Sequence, residues 1–219
     1  MKRCVDTMII AVDGPAASGK GTIARALAAH YRLPHLDTGL LYRAVAANVR
    51  RLELDPAIEA DAVPASEFDE TLLEDPELRT DEIGKMASIV SAHPLVRSAL
   101  FHRQRRFANQ PGGAVLDGRD IGTVIAPDAD AKLFIRATPT IRAKRRHAEL
   151  RERGSTLSLD RVLADIRARD LRDSMRAAAP MTPADDAALL DTSFLSIEAS
   201  IQRAISLVEA RTAAKALMP

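Results

Sequence analysis

A loop rich in small residues near the start of the chain is the first feature that could do chemistry. Between Gly14 and Thr22 the sequence reads GPAASGKGT, which contains the spacing G-x-x-x-x-G-K. Small residues let backbone N–H groups wrap a phosphate chain, and the lysine can bridge the outer phosphates. Lys20 is therefore predicted to be catalytic. The predicted phosphate-binding residues are Gly14, Pro15, Ala16, Ala17, Ser18, Gly19, Lys20, Gly21 and Thr22.

This loop departs from the general P-loop pattern at one position. Gly21 occupies the place where a serine or threonine normally follows the lysine, and Thr22 comes next. The hydroxyl group that normally contacts Mg²⁺ is thereby displaced by one residue. The G-K-G-T variant resembles nucleoside monophosphate kinases more than GTPases or large ATPases. No N-K-x-D tetrapeptide that would read guanine occurs in the chain, which counts against a GTPase switch.

Two further clusters combine carboxylates with arginines. The first is Asp37-Thr-Gly followed by Tyr42-Arg43, and the second is Asp117-Gly-Arg-Asp120. Both come directly after a predicted strand, where open parallel sheets bind ligands. The alternatives are an N-capped helix start for the first cluster and a turn with an internal ion pair for the second.

A third cluster continues one face of a predicted helix. Apolar residues at the spacing i, i+3, i+4, i+7 predict a buried face made of Leu159, Val162, Leu163 and Ile166. The same helix is predicted to continue with charged residues, namely Arg169, Asp170, Arg172, Asp173 and Arg176. One interpretation is an array of guanidinium groups facing phosphates, with Asp173 accepting from hydroxyl groups. The alternative is an exposed helix end with i,i+4 Arg–Asp pairs.

The elements that must position these clusters alternate between strands and helices. The apolar run 8–12 ends in Asp13-Gly14 and is typical of a strand buried on both faces of a parallel sheet. A helix predicted over 19–31 places its N-terminus at the loop. Further strands are predicted at 35–36, 114–116, 131–135 and 188–190, with helices starting at Thr80, His93 and Thr138. This alternation predicts an α/β fold with a parallel sheet.

Composition narrows the class of protein. The chain has 219 residues, of which 47% are apolar and 28% are charged, as in ordinary globular proteins. The single cysteine, Cys4, cannot form an intramolecular disulfide, which predicts a reducing, cytoplasmic setting. No apolar run approaches the length of a membrane span. The five histidines show no ligand spacing, so structural or surface positions are predicted for them.

Charge is distributed unevenly although the formal net charge is only +1. Residues 53–82 contain twelve acidic residues and one basic residue, and this segment is predicted to be a peripheral insertion. Residues 136–176 contain eleven arginines and one lysine against six acidic residues. Each segment could be a solvated face, and the basic one could bind nucleic acid. An aromatic content of 3% with no tryptophan argues against a single-strand binder, and the excess of arginine over lysine favours clamping of small phosphorylated ligands.

Four motifs in order along the chain together resemble the bacterial cytidylate kinases. They are residues 14–22, 36–43, 116–123 and 167–176, and the likeness covers nearly the whole chain. The resemblance implies a P-loop fold with a five-stranded parallel sheet flanked by helices. It also implies one domain over 1–219 with an acceptor-binding insertion at about 45–110 and a lid at about 146–158. One departure is that 65–78 is short and acidic, where bacterial members usually carry a longer insert with short strands.

The resemblance further implies transfer of the γ-phosphoryl group of ATP to CMP or dCMP, with Mg²⁺ bridging the phosphates. It implies that Arg119, Arg176 and Asp117 are catalytic in addition to Lys20. It implies no direct protein ligand for Mg²⁺, which would instead be held through Thr22 and through a water on Asp117. The lid would contribute Arg151 and Arg153. The residues implied for CMP are Thr38, Arg43, Ser88, Arg97, Arg119, Asp120, Arg169, Asp173 and Arg176.

The expected partners are small nucleotides rather than nucleic acid or membranes, and a monomer is expected. Three other functions stay open at the level of the sequence. They are a regulatory P-loop switch, a kinase for another small molecule, and a nucleic-acid binder.

Overall fold

A computed structural model describes residues 7–216, so Cys4 lies outside the described residues. Its centre is one sheet of five parallel strands in the order β2-β3-β1-β4-β5. The strands are β1 Met8–Asp13, β2 His35–Asp37, β3 Gly113–Gly118, β4 Ala131–Arg136 and β5 Ala188–Asp191. Each overlaps a predicted strand, which confirms the predicted fold class.

Several helices begin within one residue of a predicted start, whereas the helices over 59–62 and 197–216 were not predicted. The helices are α1 Lys20–Tyr31, α2 Thr38–Arg51, α3 Glu59–Ala62, α4 Asp81–Val90, α5 Pro94–Ala108, α6 Pro139–Glu152, α7 Leu159–Met175 and α8 Ile197–Ala216. The side chains of Thr80 and Thr138 accept hydrogen bonds from Ile83 N and Ile141 N, as helix N-caps do. Within residues 7–216, no helix is both long enough and apolar enough to cross a membrane.

The central strands are buried because helices cover both faces of the sheet. On one face, Ile10 and Val12 of β1 pack with Leu27 of α1 and Val208 of α8. On the other face, Ile9 belongs to a cluster that includes residues of β3 and the following turn. This two-sided burial explains the continuous apolar run in β1.

The strand register brings three chemical clusters to one edge of the sheet. Val12 and Asp37 both pair with Asp117, and Asp13 pairs with Gly118. The carboxyl ends of β1, β2 and β3 therefore meet where the P-loop leaves β1. This edge is where open parallel sheets bind ligands.

The acidic segment, residues 53–82, packs compactly against α2 and α4. It consists of α3 and three short 3₁₀ helices, Pro64–Ser66, Glu70–Glu74 and Pro76–Arg79, and it contains no strand, as its pattern predicts. Ala62, Ala65 and Leu78 are buried against apolar residues of α2 and α4. A separate small cluster, which includes Ala143 and Val162, joins α6 to α7.

Candidate active site

The P-loop lies between β1 and α1 and is shaped by unusual backbone angles. Gly14 has φ 147°, and a Cβ there would lie 2.1 Å from Ile135 O, so only glycine fits at this close approach. Ala17 adopts a left-handed conformation with φ 57°, and Gly19 does so with φ 91° as the residue before α1. Such backbone strain is found where a binding geometry requires it. The loop therefore surrounds the N-terminus of α1, which favours anions.

Lys20 faces a buried carboxylate on β3. Its Nζ lies 3.7 Å from Asp117 Oδ2, and Asp117 is almost completely buried. Burial and the charge of Arg119 lower the pKa of Lys20 to about 8, although Asp117 opposes this shift. Burial alone would raise the pKa of Asp117, but the hydrogen bond from His35 and the charge of Lys20 outweigh it and lower that pKa.

Gly21 explains how the loop works without the usual hydroxyl group. A Cβ at Gly21 would lie 3.7 Å from Asp117 Oδ2. The carboxylate of Asp117 thus approaches the region in which a serine or threonine side chain would stand. Asp117 supplies an oxygen donor at the same side of the loop.

Sequence reasoning missed two arginines of α6 that hold the P-loop from outside. Arg142 is buried, makes a bidentate ion pair with Asp170 at 2.9 and 2.6 Å, and also donates to Ala16 O at 3.3 Å. Arg145 donates to Ser18 O at 3.3 Å and to Thr192 O at 2.6 Å. The only signal in the sequence was the excess of arginine in 136–176.

Asp13 is a third residue that sequence reasoning missed. It is the last residue of β1 and is buried, and its carboxylate accepts hydrogen bonds from Ile121 N and Gly122 N, each at 2.8 Å. These donors open the π-helical turn Ile121–Ile125. Burial raises the pKa of Asp13 to about 7, even though both backbone hydrogen bonds lower it.

Arg119 is the central cation of the acceptor side. Its Nε donates to Asp173 Oδ2 at 2.8 Å, and Arg169 Nε lies 4.0 Å from the same oxygen. Burial disfavours ionisation of Asp173, but the charges of Arg119 and Arg169 outweigh it and lower the pKa of Asp173. Burial and the charge of Arg119 lower the pKa of Arg169 to about 9. The neighbouring Arg43 donates to Leu78 O at 2.6 Å and to Thr80 O at 3.0 Å.

A second group of the implied CMP residues lies behind Arg119. Arg97 forms a buried ion pair with Asp120, and its guanidinium group stands 5.6 Å from the ring centroid of Tyr42. Arg176 is also buried, and its Nε and Nη2 have no hydrogen-bond partner within the described part of the chain. The alternative of an ion pair inside the turn 117–120 is wrong, because Arg119 pairs with Asp173 and Asp120 pairs with Arg97.

The helix α7 differs in two details from its prediction. Val162 and Ile166 are buried as expected, but the helix ends at Met175 and Arg176 is extended, so the prediction of a helix through Arg176 was wrong. Asp170 does not continue the site-facing row, since it pairs with Arg142. Arg172 donates to Ser88 Oγ at 3.2 Å, which ties α7 to α4.

A cavity of about 540 Å³ joins the P-loop to the acceptor side. Nine lysines and arginines and only four acidic residues line it, so it suits an anionic ligand. The lining contains Lys20, Gly21 and Thr22 of the P-loop side together with Arg43, Arg119 and Arg169. The predicted lid residues Arg151 and Arg153 are exposed and do not line the cavity, whereas Arg146 does. Among the implied CMP residues, those outside the lining are Thr38, Ser88, Arg97, Asp120, Asp173 and Arg176.

Thr38 has a structural contact that explains its position. Its hydroxyl group donates to the main-chain oxygen of Asp117 at 2.9 Å. No group of three or more histidine, cysteine or acidic side chains in residues 7–216 is arranged to hold a metal ion. Asp117 and Thr22 offer side-chain oxygens at the P-loop, and so does the buried Ser18, whose hydroxyl has no hydrogen-bond partner within the described residues.

Comparison with known proteins agrees with this geometry. The family model described as "Cytidylate kinase" matches residues 10–210. A protein named "Cytidylate kinase" from Xanthobacter autotrophicus is 60% identical over 95% of this chain and 100% of its own length. One of the same name from Methylocella silvestris is 55% identical over 92% of this chain and 94% of its own length.

A solved structure supports the fold alone. An uncharacterized protein from Eubacterium ventriosum superposes with a TM-score of 0.55 at 16% sequence identity, covering 93% of this chain and 99% of that one. The family match and the identities above extend over most of the chain. On that evidence, the chain belongs to the cytidylate kinase family.

Proposed function

We propose that this protein transfers the γ-phosphoryl group of ATP to CMP or dCMP and produces CDP or dCDP. The observation that carries the proposal is a P-loop lysine and a group of arginines on one cavity, in a chain of the cytidylate kinase family. The relatives at 60% and 55% identity carry the name cytidylate kinase. Family membership also implies the use of ATP.

The reaction needs charge and position rather than a general base. An oxygen of the acceptor phosphate, already anionic at neutral pH, attacks the γ-phosphorus of ATP, and the bond to the bridging oxygen of ADP breaks. The protein must bring the two phosphates into line and neutralise their crowded negative charge. A cavity dominated by cations supports this chemistry.

On the donor side, the backbone from Gly14 to Thr22 and the N-terminus of α1 would hold the phosphates of ATP. Lys20 would contribute its charge to the transferred group. The ion-pair contact of Lys20 with Asp117 keeps the ammonium group beside the loop. Both residues are therefore assigned to the catalytic machinery.

On the acceptor side, Arg43, Arg119 and Arg176 would hold the phosphate of CMP. The two unpartnered nitrogens of the buried Arg176 support this role, because buried donors need acceptors. Arg169 and Asp173 would contact the sugar hydroxyl groups. Thr38, whose hydroxyl group donates to the main-chain oxygen of Asp117, and Ser88 are two further implied acceptor residues.

The oxygen donors at the P-loop fit Mg²⁺. Magnesium prefers oxygen ligands and keeps several waters while it binds phosphates, which agrees with the lack of a protein cage in the described residues. Asp117, through a water, and Thr22 would hold it. A metal ion held there would supply positive charge that neutralises part of the charge of the phosphates.

The chain is proposed to act as one P-loop domain over 1–219 with an acceptor-binding insertion at about 45–110. The proposed lid, at about 146–158, consists of the end of α6 and the turn before α7. Its closure, with Arg151 and Arg153, would exclude water that otherwise hydrolyses ATP. A monomer in the cytoplasm is proposed, and light scattering of the purified protein checks the oligomeric state.

Base selectivity gives the sharpest test of the proposal. Cytosine presents an amino donor at position 4 and an acceptor at N3, and uracil reverses both. Arg97 can only donate and an ionised Asp120 can only accept, and the two lie in contact. Mismatched buried polar groups cost a few kcal/mol, so CMP and dCMP should be preferred over UMP by at least about tenfold in kcat/KM.

The experiment measures ADP release with CMP, dCMP, UMP, AMP, GMP, dTMP and shikimate as acceptors. The Asp120→Asn variant should narrow the preference for CMP over UMP, because its amide can donate to O4 of uracil. The control Glu209→Gln changes an exposed carboxylate of α8 in the same way and should leave the preference unchanged. Equal use of CMP and UMP by the wild type would indicate a broader pyrimidine kinase, and slow hydrolysis with no acceptor used would indicate a regulatory switch.

A further inference from the structure

His35 makes a contact in the site that its sequence context does not suggest. It is the first residue of the short strand β2, and its Nε2 lies 2.8 Å from Asp117 Oδ1. Its register partner on β3 is Val115, two residues before Asp117, so the ring reaches along the sheet to the carboxylate. The histidines were expected at structural or surface positions, and the proposed mechanism leaves this one unused.

The geometry points to His35 as a positioning residue that holds Asp117 in the orientation in which its second oxygen faces Lys20 and the P-loop. This inference rests on the proposed function, since it assigns His35 to the same phosphate-transfer site. His35 does not line the cavity and acts only through Asp117.

The chemistry of the two partners fixes the direction of the hydrogen bond. An ionised carboxylate can only accept, so Nε2 of His35 carries the proton and donates. This holds whether the imidazole ring is neutral or charged. The contact therefore does not depend on the protonation of the second ring nitrogen.

The remaining contacts of Asp117 show why the histidine is needed. Thr38 holds the main-chain oxygen of Asp117 and leaves its carboxylate free to rotate. Lys20 Nζ, at 3.7 Å, is within ion-pair range of Oδ2 but beyond a hydrogen bond. Of the residues that the structure describes, His35 is the one that donates a hydrogen bond to this carboxylate. With Oδ1 occupied, Oδ2 is left to face Lys20 and the space beside Gly21.

Without His35, the carboxylate could turn away from the loop. Lys20 would then lose the carboxylate oxygen that now lies 3.7 Å from its Nζ. The ammonium group would be less well placed for the transferred phosphoryl group. Binding of CMP uses other residues and should change little.

Two amide variants of His35 separate its role in positioning Asp117 from the effects of side-chain size and polarity. The amide nitrogen of glutamine reaches about as far from the backbone as Nε2 of histidine, whereas that of asparagine falls one carbon short. We expect His35→Gln to keep kcat within about threefold of the wild type and His35→Asn to lower it about tenfold, with KM for CMP little changed in both. His102→Gln, at an exposed position of α5, is the matched control and should leave kcat unchanged.

A second measurement does not depend on turnover. Crystal structures without nucleotide should show Asp117 Oδ2 still facing Lys20 Nζ in His35→Gln, as at 3.7 Å in the wild type, and turned away from it in His35→Asn. His35→Leu, which has no donor, replaces the asparagine variant in both comparisons if melting curves show that variant to be unfolded. Equal kcat and the same Asp117 orientation in the glutamine and asparagine variants would overturn the inference.

The two readouts also separate this inference from the proposed function. A wild type that phosphorylates no nucleoside monophosphate would refute the function, while the orientation of Asp117 in the His35 variants would still test the contact. If the wild type is active on CMP and the His35 variants behave like the wild type, the positioning role of His35 is refuted and the proposed function is not.

Discussion

The charged residues of the site are held mostly by one another. Asp173 holds Arg119, Asp120 holds Arg97, and Asp117 lies beside Lys20. Pairing lets buried cations stay charged and fixes the directions of their remaining donors. Arg176 and Arg169 also have buried nitrogens without a hydrogen-bond partner within residues 7–216, two in Arg176 and one in Arg169. Such donors are suited to a ligand anion.

Removal of the Lys20 ammonium group should affect the reaction much more than the fold. Lys20→Ala is expected to lower kcat by about two orders of magnitude or more, because the charge acts on the transferred phosphoryl group rather than in packing. The melting temperature should stay near that of the wild type or rise slightly, since a largely buried charge is removed. Lys144→Ala, at an exposed position of α6, is the control. Near-normal turnover by Lys20→Ala would contradict the assignment of residues 14–22 as a phosphate-binding loop.

The sequence predicted the residues whose spacing is local and missed those whose contacts are distant. The P-loop, the turn at 117–120 and the arginines of α7 are recognisable within a few residues each. Asp13 meets its partners 108 and 109 positions away, and Arg142 and Arg145 contact the loop across 126 and 127 positions. Such contacts depend on how helices pack on the sheet, which no short pattern encodes. The roles of Arg151 and Arg153 stay predictions.

Among the elements, α7 changes character along its length because it leaves the core. Val162 and Ile166 pack against α6. One turn further along the helix, Arg169 lines the cavity. One more turn along, Asp173 pairs with Arg119. The starts of α1, α4, α5 and α6 and the five strands were predictable because caps, prolines and apolar runs are local signals, whereas α8 and the end of α7 were not predicted correctly. The π-helical turn Ile121–Ile125 was not predictable, since its opening N–H groups are bound by Asp13 of a distant strand.

The end of α7 should serve the acceptor and not ATP. Asp173→Ala removes the carboxylate that would contact the sugar and also frees Arg119, which it now holds at 2.8 Å. We expect KM for CMP to rise by about tenfold or more, with KM for ATP changed by less than about threefold. Steady-state kinetics with each substrate varied in turn measure both. A rise confined to KM for ATP would place α7 on the donor side.

Asp13 should make the stability of the fold depend on pH. Its pKa is about 7 in the folded protein and 3.8 in the unfolded reference, so between these values the folded state binds more protons. The free energy of unfolding should therefore fall as pH rises, by about 2 kcal/mol between pH 5 and 7.5 from this residue.

Asp13→Asn isolates this contribution, because asparagine does not titrate. Urea unfolding at both pH values should show a smaller decrease for the variant than for the wild type. Parallel pH dependences of the two proteins would contradict the role of Asp13.

Across the whole molecule, polar contacts join the α4 side of the cavity to the α6–α7 side. Arg146 donates to Asp81 at 2.5 Å, and Lys85 lies 3.0 Å from Asp165. Arg153 donates to Arg79 O at 3.0 Å. These contacts join residues 79–85 to α6, α7 and the turn between them. Each exposed ion pair contributes at most about 1 kcal/mol of stability. Such contacts can therefore favour closure of the cavity but cannot hold it permanently closed.

Weakening two of these contacts should therefore reduce affinity for the acceptor without removing chemistry. In Lys85→Ala/Arg153→Ala, the closed arrangement should be less populated, and KM for CMP should rise about two- to fivefold, within the limit of two exposed contacts. Hydrolysis of ATP in the absence of CMP should not fall, since a more open cavity admits water. Lys215→Ala, which removes an ion pair with Asp130 in a different part of the molecule, is the control and should change neither quantity. An unchanged KM for CMP in the double variant would mean that these contacts do not contribute to closure around the acceptor.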